Sequence, residues 1–179
     1  MNISLITVGK LKEKYLKLAI DEYSKRLGRY CKLDIIELPD EKTPDNASDK
    51  EELMIKEKEG KAILSRIKEN AFVVAMDLKG KQLTSEELAG FISDCGLRGN
   101  SNIVFVIGGS LGLSDEVIKR ANYKLCFSKM TFPHQLFRVM LLEQVYRGFR
   151  IIKNEPYHKK VMFLVLTIGI NGLALFLYV

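Results

Sequence analysis

Two stretches hold the residues best suited to build a ligand site. Asn102 to Leu113 reads N-I-V-F-V-I-G-G-S-L-G-L, an unbroken apolar run from Ile103 to Ile107 followed by Gly108-Gly109-Ser110-Leu111-Gly112. The run is that of a strand buried on both faces. A glycine-rich turn at its carboxyl end lets backbone N–H groups close on a ligand, because no Cβ stands in the way. On this stretch alone, a tight connection with no ligand is an equal reading. The second stretch is Phe127-Ser128-Lys129-Met130-Thr131-Phe132-Pro133-His134. It offers hydroxyls, apolar walls and a proline that fixes entry to a helix. Such a pocket suits a flat, largely apolar, adenosine-like ligand with a few polar atoms to satisfy. Neither G-x-G-x-x-G nor G-x-x-x-x-G-K-[ST] is present, which disfavours a hydride-transfer cofactor and a nucleotide triphosphatase.

The ionisable inventory is thin. His134 and His158 are the only histidines and lie too far apart in sequence for a ligand cluster, so no metal site is expected. Cys31, Cys95 and Cys126 are scattered, with no C-x-x-C pair, which points to a reducing, cytoplasmic setting and away from disulfides or zinc. Arg138 and Arg147 are placed to face phosphate; equally, Glu143 and Arg147, four apart, form a helix ion pair. The charge is uneven. Residues 10–32 carry eight Lys/Arg against three acids, residues 33–118 net −7, and residues 119–160 net +8. Basic flanks around an acidic middle suit a polyanion such as nucleic acid, or are a solvated surface.

The elements that must position these residues alternate. Strands are expected at Asn2 to Val8, Cys31 to Leu38, Phe72 to Met76, Asn102 to Ile107 and Tyr123 to Phe127. Between them, Leu11 to Leu27 shows helical spacing ended by Gly28. Ser48 with Glu51 opens a helix to about Asn70 whose charged face reads as solvation, and Thr84 with Glu87 opens one to about Cys95. Leu78-Lys79-Gly80-Lys81 reads as a turn, Ser114 caps a short helix to about Ala121, and His134 to about Lys153 is the last helix. The pattern is one α/β domain with a mainly parallel sheet flanked by helices. Met76, Gly108 and Phe127 then end three strands at one edge. The last helix is apolar nearly all round, through Leu136, Phe137, Val139, Met140, Leu141, Leu142, Val145, Tyr146 and Phe149, so a homodimer is expected to cover part of it.

Several separate motifs in order resemble the ribosomal RNA large subunit methyltransferase H family. They are V-G-K-L-K-E-K-Y (Val8 to Tyr15), D-K-E…K-E-K-E-G (Asp49 to Gly60), V-I-G-G-S-L-G-L (Val106 to Leu113), S-K-M-T-F-P-H-Q-L-F-R-V (Ser128 to Val139), E-Q-V-Y-R (Glu143 to Arg147) and E-P-Y-H-K (Glu155 to Lys159). The resemblance covers residues 1–159 and implies a SPOUT-type α/β knot, with a trefoil knot in the C-terminal half, acting as a homodimer. It implies an S-adenosylmethionine-dependent enzyme that methylates N3 of a pseudouridine in a 23S ribosomal RNA hairpin loop, on the large subunit or 70S ribosome. It assigns cofactor binding to Met76, Gly108, Phe127, Ser128, Lys129, Met130, Thr131 and Phe132. Substrate placement or catalysis falls to Arg147, Tyr157 and His158, with His158 open as base, stacking partner or phosphate contact. A non-catalytic RNA-binding or ribosome-assembly factor on the same fold is the alternative.

Residues 160–179 depart from the family. Val161 to Val179 carry no charge, and an apolar run of this length is a membrane-span candidate, flanked by Lys159 and Lys160. Gly169, Asn171 and Gly172 weaken it as a helix. An altered reading frame, or a tail packed on the dimer, is the other reading.

Overall fold

The computed structural model describes residues 1–44 and 46–157. His158 and the apolar stretch 160–179 therefore lie outside the described residues. The elements run β1 (Asn2–Val8), α1 (Lys14–Leu27), β2 (Lys32–Leu38), α2 (Asp49–Leu64), β3 (Phe72–Lys81), α3 (Ser85–Leu97), β4 (Asn102–Ile107), α4 (Asp115–Arg120), β5 (Tyr123–Leu125) and α5 (His134–Ile152). The five strands form one sheet in the order β2-β1-β4-β3-β5, every pairing parallel.

β4 is the central strand, and its composition follows from that place. Ile103, Phe105 and Ile107 point into a core made with α1, α3 and α5. Val104 and Val106 point the other way, into a core completed by Ile63 of α2 and Val117 of α4. With both faces covered, alternation disappears and every position must be apolar. The turn that follows Ile107 is thereby fixed at the middle of the sheet's carboxyl edge.

Helix starts follow the sequence signals. Ser48 accepts from Glu51 N and Thr84 from Glu87 N, each glutamate returning a bond to the cap backbone. Ser114 accepts from Val117 N at 3.4 Å.

Three boundaries differ from expectation. Residues 78–81 are not a free turn; β3 continues to Lys81, which pairs with Leu125 across a register shift. Gly80 makes this possible, since a Cβ there would stand 2.6 Å from the Lys124 carbonyl. α2 stops at Leu64 rather than near Asn70: Arg66 N and Ile67 N close on the Ile63 and Leu64 carbonyls three residues back, and beyond them Arg120 Nη2 takes the carbonyls of Lys68, Glu69 and Ala71 at 3.3, 3.0 and 3.0 Å. Carbonyls bonded to a guanidinium in place of the helix ladder mark where that ladder has ended. β5 ends at Leu125 rather than Phe127, and Cys126 N closes on Lys81 O at 3.0 Å before the chain leaves the sheet.

Arg138 is also corrected: it faces no phosphate. It is 2% exposed, with Nη1 on Glu37 Oε1 at 2.7 Å and Nη2 on the Val8 and Gly9 carbonyls at 2.9 and 3.0 Å. Burial pulls its pKa down, and Glu37 opposes this. The guanidinium ties α5 to the end of β1. Arg138→Met is expected to lower unfolding free energy by about 3 kcal/mol, because two carbonyls lose this donor and Glu37 loses its ion pair, keeping the hydrogen bond from Leu11 N. Urea unfolding should show a lower midpoint at unchanged slope.

Candidate active site

A cavity of about 620 Å³ at the carboxyl edge of the sheet is bounded by residues 76–79 within β3 and by the loops that follow β4 and β5. The turn after β4 supplies its floor. Gly112 N bonds Gly109 O at 3.0 Å, and Gly112 takes φ +82°, a conformation that favours glycine. At Gly108 the backbone passes so close to itself that a Cβ would lie 2.7 Å from the Gly112 carbonyl carbon and oxygen. At Gly108, Gly109 and Gly112 the floor is thus bare backbone.

The walls come from β3, the loop after β5 and the first turn of α5. The Phe127 ring stands edge-on to Phe132 at 6.4 Å and to Phe137 at 5.2 Å between centroids. Met130 N bonds Ser128 Oγ at 2.9 Å, and Cys126 Sγ approaches Ser128 O at 3.2 Å, which shapes the loop. Pro133 occupies the N-cap of α5 without a side-chain cap, and its carbonyl accepts from Phe137 N at 2.9 Å.

Of the expected cofactor residues, Met76, Gly108, Phe127, Ser128, Met130, Thr131 and Phe132 all line this cavity. Lys129 lies in the same loop, is exposed and does not line it. Sequence reasoning missed Lys56, Asp77 and Asp115 in the lining. Asp77 had a signal, since it directly follows Met76, where the sequence places the end of the strand; the structure carries β3 on through both residues. Lys56 had none, because a charged helix face reads as solvated.

Arg147 and Tyr157 are together, but elsewhere. Arg147 Nη2 and Nε reach Glu143 Oε1 at 2.5 and 3.0 Å, confirming the helix ion pair. Tyr157 OH donates to the same oxygen at 3.2 Å, and the Arg147 guanidinium carbon lies 4.8 Å from the Tyr157 ring centroid. The Tyr146 ring meets Tyr157 edge-on at 5.0 Å, while Arg150 bonds Glu155 at 3.0 Å. Neither Arg147 nor Tyr157 lines the cavity. Arg147 lies thirteen positions along α5 from His134, which is at the cavity, about 20 Å along a helix axis.

This cluster holds protons firmly. The Glu143 hydrogen bond raises the Arg147 pKa. Burial, then hydrogen bonding and charge from Tyr23 and Glu143, push Tyr157 up to about 12. With the folded pKa above the ordinary phenol value of 10.0, the unfolded chain releases its proton first as pH rises. Stability from this group is therefore full below pH 10.0 and lost as pH climbs toward 12. Thermal unfolding should show a steeper alkaline decline in the wild type than in Tyr157→Phe, and methyl transfer should show no tyrosine inflection near neutral pH.

Residues 1–158 match the model of a family described as predicted SPOUT methyltransferase. Ribosomal RNA large subunit methyltransferase H 1 of Clostridium perfringens is 80% identical over 159 residues, covering 89% of this chain and 100% of that protein. Ribosomal RNA large subunit methyltransferase H of Clostridium beijerinckii is 77% identical with the same coverage. A solved tRNA methyltransferase of Aquifex aeolicus is 13% identical, with a TM-score of 0.49, over 92% of this chain and 79% of that one.

Proposed function

This chain belongs to the SPOUT methyltransferase family, and from that premise we propose that it methylates N3 of a pseudouridine in a 23S ribosomal RNA hairpin loop, using S-adenosylmethionine. The observation that carries the reading is the cavity itself, a backbone floor at Gly108–Gly112 walled by Met76, Phe127 and Phe132. The fit to the cofactor is good: its adenine needs apolar walls with backbone polar atoms, and its volume needs a cradle that a Cβ would fill. Met76, Gly108 and the 127–132 loop would hold it. When bound, S-adenosylmethionine supplies a methyl group already activated by a sulfonium.

The protein's own work is then positioning, exclusion of water and management of one proton. The target nitrogen must lose its proton before it can attack. Arg147 and Arg150 lower that cost by stabilising the anion. Tyr157, held protonated, orients and does not abstract. Phosphates of the RNA would meet the basic segments 10–32 and 119–160, while an unpaired loop nucleotide supplies specificity.

The roughly 20 Å between the cavity and Arg147 favours a homodimer, in which the partner's α5 end completes each site. Tyr15 and Leu18 on α1 and Leu136 on α5 are exposed apolar side chains. Lys12 N bonds Gln135 Oε1 at 2.8 Å, so the starts of these two helices lie side by side. We assign residues 1–159 as the catalytic domain, working in the cytoplasm. Among the described residues no helix is long and apolar enough to cross a membrane.

Methyl transfer from labelled S-adenosylmethionine to large subunits, 70S ribosomes and free 23S RNA tests the proposal. Label confined to one pseudouridine is the expected result. A folded protein that neither binds the cofactor nor labels any of these substrates would falsify it.

A further inference from the structure

Glu59 is a carboxyl that the fold buries and the mechanism above leaves unused. It sits on α2, within the charged Asp49 to Gly60 stretch, whose face was expected to be solvated; yet Glu59 is only 6% exposed. Its Oε1 accepts from Glu41 N at 3.1 Å, while Oε2 has no hydrogen-bond partner. Both oxygens press on the glycine turn: a Cβ on Gly109 would stand 2.6 Å from Oε2 and 3.1 Å from Oε1. The next residue, Gly60, abuts the other end of that turn, since a Cβ there would collide with the Ser114 side chain. Consecutive residues of one helix thus meet Gly109, in the floor of the cavity, and Ser114, the α4 cap that follows it.

We propose that Glu59 and Gly60 form the positioning element of the cofactor turn, fixing Gly109 and Ser114 at the separation that leaves the floor open. The inference rests on the cavity being the S-adenosylmethionine site. A hydrophobic side chain could fill the space under Gly109 without burying a polar group; a carboxyl there joins three parts. It ties the 40–41 backbone, α2 and the turn together, with Lys58 Nζ pairing Glu41 Oε2 at 2.9 Å across the same junction. A turn held in its binding shape before the ligand arrives loses less freedom on binding. Burial raises the Glu59 pKa, the hydrogen bond from Glu41 N opposes this, and the charges of Asp40 and Glu41 raise it further. An amide of equal length keeps the shape and the oxygen that accepts from Glu41 N, and is therefore the closest mimic.

The test compares E59Q with E59D in the full-length protein, by calorimetric titration with S-adenosylmethionine and by KM and kcat on large subunits. Gln keeps the reach to Gly109; Asp keeps the carboxyl but withdraws it. E59D should bind the cofactor about tenfold more weakly, and E59Q within about twofold of wild type. The cofactor KM should move in step, the ribosome KM should not. G109A alone should lose about a hundredfold, because its Cβ stands on the carboxyl, and G109A/E59D should bind more tightly than G109A. Wild-type affinity in E59D, the reverse order of E59D and E59Q, or purely additive losses in the double variant would overturn the inference while leaving the site intact. A wild-type chain that does not bind S-adenosylmethionine at all would overturn the site reading, and this inference with it.

Discussion

Gly108→Ala should abolish cofactor binding, with affinity falling by at least about a hundredfold and methyl transfer dropping to background. The atoms its Cβ would meet are backbone: the Gly112 carbonyl carbon and oxygen at 2.7 Å and Leu113 N at 3.0 Å. A flexible side chain could swing away, but backbone moves only if the whole turn opens. The turn has little room to do so, pinned by the Gly109–Gly112 bridge above and Glu59 below. Opening it displaces the floor of the cavity and the Ser114 cap of α4. Gly90→Ala is the matched control, since a Cβ there meets nothing within 4 Å. At this exposed position of α3 it should leave affinity unchanged and raise stability by about 0.5–1 kcal/mol. Calorimetry on both variants, with circular dichroism to establish that each is folded, reads the result. Near-wild-type affinity in Gly108→Ala would mean that the turn is not the floor of the cofactor site.

What was legible in the sequence divides along a physical line. β4 was readable to the residue because burial on both faces leaves no polar position, and both capping boxes were readable because their partners are three residues apart. Most of the cavity lining was readable because composition and fold rule coincide there. Features set by distant backbone were not. The extension of β3 to Lys81 depends on Gly80 meeting Lys124, a contact between segments over forty residues apart. Arg138 reads as a phosphate ligand on a basic helix, and only the topology brings it to Val8, Gly9 and Glu37. Glu59 reads as one more solvated acid in a charged run, and only the packing of α2 under the turn buries it. The strand order was equally hidden, because nothing local says that β4 inserts between β1 and β3.

The second large effect concerns the distance between the two halves of the site. Arg147→Ala should leave S-adenosylmethionine affinity within about twofold of wild type, because Arg147 does not line the cavity. It should nonetheless lower kcat by about a thousandfold, the scale on which loss of a charge-stabilising cation acts. Glu143 and Tyr157 would remain, but the cation they hold over the ring would be gone. Two inactive chains then become informative together. If each site takes its cofactor turn from one protomer and its Arg147 from the other, an equal mixture of Gly108→Ala and Arg147→Ala chains should recover activity. Random pairing makes half of the dimers mixed, each with one intact site of two, so about a quarter of wild-type activity is expected after exchange through a mild denaturant. Were cavity and Arg147 cluster brought together within a single chain, every site in the mixture would carry one lesion and no activity would return. The recovered fraction thus measures directly whether α5 delivers its arginine across the dimer.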